Sequence, residues 1–434
     1  MGNGLALVLA TVNVILMAML LGPGDFGYLS IVLAITGLIV IPADFGLTNT
    51  TAKFLSEKKI PADMIINTAL CLKILIYAVI TIIYFSILFM LKDVIDLNPV
   101  QFNLYLYIFP FILLGETMYR LSLGVFQGYF RMDLLACTFF ALRALQLIIC
   151  SLLVISGLGV TGAASGYGLA SILVFLGSLA FLKTSWNVKP VMHVAKSLLG
   201  FSSYAFLSLA MYAIILWTDI LVISFFFPAE YAGYYSIASK AAILVTTIPM
   251  AIESIMYPTV SAGYSNKDFE GTKKIFIKVV KVIFYTAGIS SVFVIAVSYF
   301  GITIFLPQYI PAILPLIILT ISFFIGTFAN AYVSVLNGWN QPKITARITI
   351  IQALFNLVTN LIFVPVFGYV AASVTSLISF SIGTYLGFRA VNSLVGVKIT
   401  FSDLKIHKEE IEILKQKIHR EDKTGKFLFL KDLK

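Results

Sequence analysis

Charged residues make up only 12% of this 434-residue chain, roughly half their share in an ordinary soluble domain. Apolar residues make up 60%, so the composition fits lipid rather than water as the main solvent. Cysteine is scarce too. Cys71, Cys137 and Cys150 are odd in number and all lie inside apolar runs, which excludes a disulfide framework and a zinc site and leaves them as small packing residues. The histidines, His193, His407 and His419, have no ligand spacing, so neither a metal nor a cofactor is expected. There is no Gly-x-x-x-x-Gly-Lys-Ser/Thr run, which argues against direct ATP hydrolysis. A cleavable leader is not expected either, because the first apolar run passes straight into Gly22-Pro23-Gly24 without a small-residue cleavage pattern.

What the chain does have is long apolar runs. Crossing the hydrocarbon layer takes about 20 apolar residues in a helix, and the runs predict spans at about 4–21, 28–50, 64–91, 102–127, 134–156, 163–183, 202–227, 234–258, 276–298, 311–335, 346–366 and 370–392. The formal net charge of +10 is a topology signal rather than a nucleic-acid footprint, because alternate connections collect the basic residues. One side takes Lys53, Lys58 and Lys59, then Arg131, then Lys183, Lys189 and Lys196, then Lys267, Lys273 and Lys274, then Lys343; the other side has only Lys92. Both termini are therefore expected in the cytoplasm, with membrane lipids as partners and no nucleic acid. Beyond Lys398 the composition turns charged, and Leu404, Ile411, Leu414 and Ile418 recur at helical steps. That spacing suits a short amphipathic helix on the inner surface or, equally, a solvated tail.

The second half repeats the first at an offset of about 210 residues. Gly22-Pro23-Gly24-Asp25-Phe26-Gly27-Tyr28 is echoed by Phe227-Pro228-Ala229-Glu230-Tyr231-Ala232-Gly233-Tyr234 with one insertion. Val125-Phe126-Gln127-Gly128-Tyr129 is echoed by Val335-Leu336-Asn337-Gly338-Trp339, and Gly159 through Ala164 by Gly368 through Ala372. The expected architecture is an all-α membrane protein of twelve transmembrane helices in two pseudo-symmetric six-helix lobes around a central cavity. The lobes are placed at 1–190 and 191–392, with a tail at 393–434. Six spans per half put the axis relating them along the membrane normal.

Several of these motifs, in this order, resemble the polysaccharide (O-antigen and repeat-unit) flippases. They are the Leu21-Gly22-Pro23 turn to Gly27, Ala43-Asp44-Phe45-Gly46-Leu47, Gln127-Gly128, Asp219-Ile220-Leu221 with Gly233-Tyr234-Tyr235, and Asn356-Leu357-Val358-Thr359-Asn360-Leu361 before Gly368. That family belongs to a superfamily with the MATE exporters and the lipid II flippases. The resemblance implies a transporter, not an enzyme, that moves an oligosaccharide on a polyprenyl phosphate or pyrophosphate from the inner to the outer leaflet of the cell membrane by alternating access. It also leaves room for association with polysaccharide assembly machinery.

Ionisable side chains inside spans are costly and point to function. Lys73, Arg120 and Arg143 all fall about 12 to 14 Å from the cytoplasmic ends of their spans. Together they form a positive level suited to a pyrophosphate, the arginines as planar forks and the lysine as a point charge. The alternative is local neutralisation, since Glu116 lies four residues before Arg120, or, for Lys73, snorkelling to the interface. Asn330, Gln352, Asn356 and Asn360 suit sugar hydroxyls or, the commoner use, ties between helices. Asp219 and Lys240 lie at matching depths on either side of an outer turn, as an ion pair or a gate would. Asp44 and Glu253 are candidates for proton or sodium coupling, or for capping. Pro42, Pro249, Pro258, Pro311 and Pro315 predict kinks. A rival exporter of organic cations would need an acidic or apolar cavity. A membrane polymerase or ligase would need a larger outer loop than the dozen or so residues available.

Overall fold

The computed structural model describes residues 2–91, 104–182, 190–265, 268–397 and 401–404. Among them every regular element is a helix, because a chain in hydrocarbon must bond its backbone N–H and C=O groups within each segment. In chain order these are α1 (Gly2–Asp44), α2 (Leu47–Glu57), α3 (Ala62–Leu91), α4 (Phe109–Gly128), α5 (Met132–Leu153), α6 (Gly159–Leu179) and α7 (Met192–Phe226). There follow α8 (Ala229–Ala242), α9 (Thr247–Ser265), α10 (Phe269–Phe305), α11 (Ile313–Gly326), α12 (Phe328–Gly338), α13 (Pro342–Phe367) and α14 (Val370–Val395). Lys92, Lys183, Lys189, Lys267 and, of the expected amphipathic tail helix, Ile411, Leu414 and Ile418 lie outside the described residues.

Nine helical stretches among the described residues are long and apolar enough to cross a membrane. Two are too long for one crossing: Leu5–Asp44 has 40 residues and Met132–Leu179 has 48, against about 20 needed. Each turns at glycine. Gly22 takes φ 75°, ψ 172° directly before Pro23, a conformation open to glycine at little cost. Gly157 and Gly159 take φ 91° and 52°. Across the expected span at 234–258 the chain stays helical, with α8 passing into α9 through a 3-10 helical turn over Ile243–Thr246.

The internal repeat extends to backbone geometry. After Gly128 the chain closes with Arg131 N–H donating to Phe126 O (2.9 Å) and Phe130 at φ 57°; after Gly338, Gln341 N–H donates to Leu336 O (2.7 Å) and Asn340 sits at φ 58°. Both are left-handed helix stops that satisfy the last carbonyls.

Contacts group the chain into two compact units. The first comprises Met1–Ala241, Tyr299–Leu316 and Ala353–Thr375. One of its apolar cores packs Leu47, Leu55, Ile65, Leu121, Phe126 and Leu198. Here the two copies of the first repeat motif meet. A Cβ on Gly27 would lie 1.9 Å from Ala229 O, and one on Gly233 would lie 2.5 Å from Pro23 O. Such backbone-to-backbone approach is how helices associate where lipid removes the hydrophobic drive. The second unit comprises Ala242–Ser298, Ile317–Gln352 and Ser376–Lys434. Its core gathers Val245, Met256, Val260, Phe276, Ile283, Tyr332 and Trp339, with Trp339 Nε1–H donating to Thr272 Oγ1 at 3.2 Å.

Candidate functional site

Within the first unit lies a cavity of about 320 Å³, walled by α1, α4, α5, α6, α7 and α8. Three cations line it: Arg120 from α4, Arg143 from α5 and Lys240 from α8, with Glu116 as the carboxylate in the same wall. Arg143 Nη1–H donates to Gln146 Oε1 at 2.8 Å, which fixes one edge of its guanidinium. Among the described residues Arg120 Nε–H has no hydrogen-bond partner. Lys240 Nζ sits 4.6 Å from the centroid of the Trp217 ring, close enough for a cation–π attraction. Among the described residues none of the three makes an ion pair within 4.0 Å. Positive charge exceeding negative in a low-dielectric cavity favours an anion, and guanidinium forks suit phosphate oxygens.

The expected level of Lys73, Arg120 and Arg143 is therefore only partly assembled. Arg120 and Arg143 share the cavity, but Lys73 does not line it. It is fully buried, paired with the Asp44 carboxylate, 3.2 Å from Thr48 Oγ1 and 3.4 Å from Thr117 O. An ammonium at that depth without a counter-charge would cost several kcal/mol; the carboxylate at the α1–α2 break answers it. Asp44 also caps α2, accepting Thr48 N–H at 3.2 Å and Thr48 Oγ1–H at 2.5 Å. The cap supports the cavity indirectly, since a Cβ on Gly124 of α4 would lie 2.5 Å from Thr48 O. Glu116 does not neutralise Arg120 by an ion pair; its Oε1 accepts Ser171 Oγ–H at 3.0 Å.

The expected Asp219–Lys240 pair is replaced by two separate arrangements. Asp219 accepts from the Tyr235 hydroxyl and from Asn360 Nδ2–H at 2.6 Å, while Lys240 turns to Trp217. At 100° per residue, Tyr235 and Lys240 lie about 140° apart around α8, and Trp217 and Asp219 about 160° apart around α7. Equal depth did not mean a shared face. Asn360 receives the Thr375 hydroxyl and places its Nδ2 3.2 Å from Asn356 Oδ1, so these fully buried amides tie α13 to α7 and α14. In the second unit Gln352 Nε2–H donates to Ser379 O at 3.3 Å and Ser379 Oγ–H to Gln352 O at 3.0 Å. Asn330 is half-buried on α12, its carbonyl taking Ser334 Oγ–H at 2.8 Å. Glu253 falls on α9, with its side chain outside the described residues.

Sequence reasoning missed Asn13, Gln146, Tyr167 and Trp217, all in the cavity wall. The first two carried a usable signal, being amides inside apolar spans, where polar groups need a reason.

The sequence model for the family described as "Polysaccharide biosynthesis protein" matches residues 16–314. The chain belongs to that family. Of its relatives, the "Probable low-salt glycan biosynthesis flippase Agl15" of Haloferax volcanii is 26% identical over 393 residues, covering 88% of this chain and 80% of that one. This family member shares its fold with an inward-facing multidrug resistance MATE transporter of the MOP superfamily, at TM-score 0.76 and 16% identity over 90% of this chain and 94% of that one. It shares it also with the lipid II flippase MurJ in an inward closed conformation, at TM-score 0.73 and 15% identity over 93% of this chain and 88% of that one.

Proposed function

We propose that this multi-pass membrane protein flips a lipid-linked oligosaccharide, on a polyprenyl phosphate or pyrophosphate, from the inner to the outer leaflet of the cytoplasmic membrane. Arg120, Arg143 and Lys240 hold the phosphorylated headgroup, and the polyprenyl chain stays in lipid. The observation that carries this reading is the cavity with three cations against one carboxylate inside an apolar helical protein. Membership of the family and the flippase named among its relatives support it. The glycine breaks in α1 and between α5 and α6 support twelve spans, six per repeat, and the basic connections support a cytoplasmic position for both termini. Asp44, Lys73 and Asp219 serve the framework, and association with polysaccharide assembly machinery follows from the role.

An exporter of organic cations fits the fold equally but not the charge of the cavity, which repels such cargo. Transport into reconstituted vesicles discriminates the two. The Arg120→Ala, Arg143→Ala double variant is expected to lose flipping of a polyprenyl pyrophosphate sugar by roughly 100-fold or more, from two charged hydrogen bonds at about 1.5 to 3 kcal/mol each, while remaining folded in the membrane. Unimpaired flipping by this variant, or transport of an organic cation instead, overturns the proposal.

A further inference from the structure

We infer that the cavity carries a neutral subsite beside its cations, in which Asn13 reads a hydroxyl of the sugar joined to the phosphate; this deepens the proposed function and rests on it. Asn13 stands on α1 in the cavity wall and is 2% exposed. Its Nδ2–H donates to the Tyr167 hydroxyl at 3.0 Å, and among the described residues its Oδ1 has no hydrogen-bond partner. Buried amide oxygens are rarely left in that condition, because desolvation without a replacement bond is costly. The cations of the same cavity do not bond it. Arg143 spends one N–H on Gln146, and Lys240 lies against Trp217.

The orphan atom tells donors from acceptors. A phosphate oxygen, which only accepts, suits Arg120 Nε–H, also unpartnered, but gives Asn13 Oδ1 nothing. A hydroxyl both donates and accepts, so it satisfies Asn13 even if the amide is turned to present nitrogen rather than oxygen. Two unmet needs in one cavity, a donor wanting an anion and an amide wanting a hydroxyl, describe a glycosyl phosphate. Trp217 bounds the same space, its indole seated where Gly37 leaves room: a Cβ there would lie 2.3 Å from the ring. The ligand class is a neutral sugar carried on a phosphate or diphosphate, with the sugar at α1 and α6 and the anion at α4, α5 and α8.

The test measures binding to the full-length protein in lipid nanodiscs. The probes are farnesyl diphosphate and three farnesyl diphospho-sugars, carrying glucose, galactose or N-acetylglucosamine. At least one sugar probe is expected to bind about tenfold more tightly than farnesyl diphosphate, the scale of one buried hydrogen bond. Asn13→Leu is expected to remove that preference and to leave the affinity for farnesyl diphosphate itself within about twofold. Asn13→Ser, which restores a hydroxyl in a smaller volume, is expected to fall between them and serves if the leucine variant does not fold. A preference untouched by both variants, an equal weakening of sugar and sugar-free probes, or no sugar probe bound better than farnesyl diphosphate overturns the subsite. No binding of farnesyl diphosphate, or binding insensitive to Arg143→Gln, is a different result and overturns the anion site on which the subsite rests.

Discussion

The two sequence repeats share joints and differ in charge. Gly128 and Gly338 end their helices with the same hydrogen bonds and a left-handed residue at the same position, Phe130 in one and Asn340 in the other. About 210 residues beyond Arg120 stands Asn330, beyond Arg143 the neighbourhood of Gln352, and beyond Lys73 that of Ile283. Lys73 and Ile283 are both fully buried, one in an ion pair and the other in an apolar core. Backbone stops and close approaches are demanded by the helical architecture itself, so both copies keep them. Side chains inside a span answer to whatever they face: at these places the first copy is cationic and the second amide or apolar, while the third cation of the cavity, Lys240, comes from the second copy.

This contrast can be broken at its most buried charge. Lys73→Ile, the residue found near the corresponding place in the other repeat, strands the Asp44 carboxylate and is expected to cost about 3 to 5 kcal/mol of stability, read as a fall in the thermal unfolding midpoint in detergent. Adding Asp44→Asn, which removes the stranded charge and keeps an acceptor for the α2 cap, is expected to restore much of it. A single variant as stable as the parent would mean that the pair is not what holds this corner. Next in size, Arg143→Gln gives the first repeat the amide of the second. It is expected to weaken binding of farnesyl diphosphate roughly 10- to 100-fold, as loss of one charged hydrogen bond does. Titration calorimetry on the nanodisc-held protein checks it, and unchanged affinity would remove Arg143 from the anion site.

The meeting of Arg120 and Arg143 was legible in the sequence and the azimuth of each buried charge was not. The rise of 1.5 Å per residue set Arg120 and Arg143 at one level, and the cavity holds both. Which way a side chain turns is normally read from an amphipathic pattern, but these helices are apolar all round and carry none. So Lys73 counted as a member of the cationic level when it faces Asp44, and Lys240 was assigned to Asp219 when it faces Trp217. The glycine breaks were legible because Gly-Pro and paired glycines signal locally. The Asp219–Asn360–Thr375 network joins residues 141 and 15 positions apart, and no local pattern announces such a meeting.

The smallest expected effect sharpens the comparison from the other side. Gln352 is tied to Ser379 by two hydrogen bonds and fills the space above Gly383, where a Cβ would lie 1.9 Å from its amide nitrogen. Only one of those bonds uses its side chain, since the other is accepted by its backbone carbonyl. Gln352→Leu keeps most of the volume and loses that one bond to Ser379 O, a cost of about 1 kcal/mol. If Gln352 has become packing, this variant should lower the unfolding midpoint by a few degrees and leave farnesyl diphosphate affinity where it was. A loss of affinity comparable with that of Arg143→Gln would show instead that Gln352 contacts the anion, and its assignment to packing would fail.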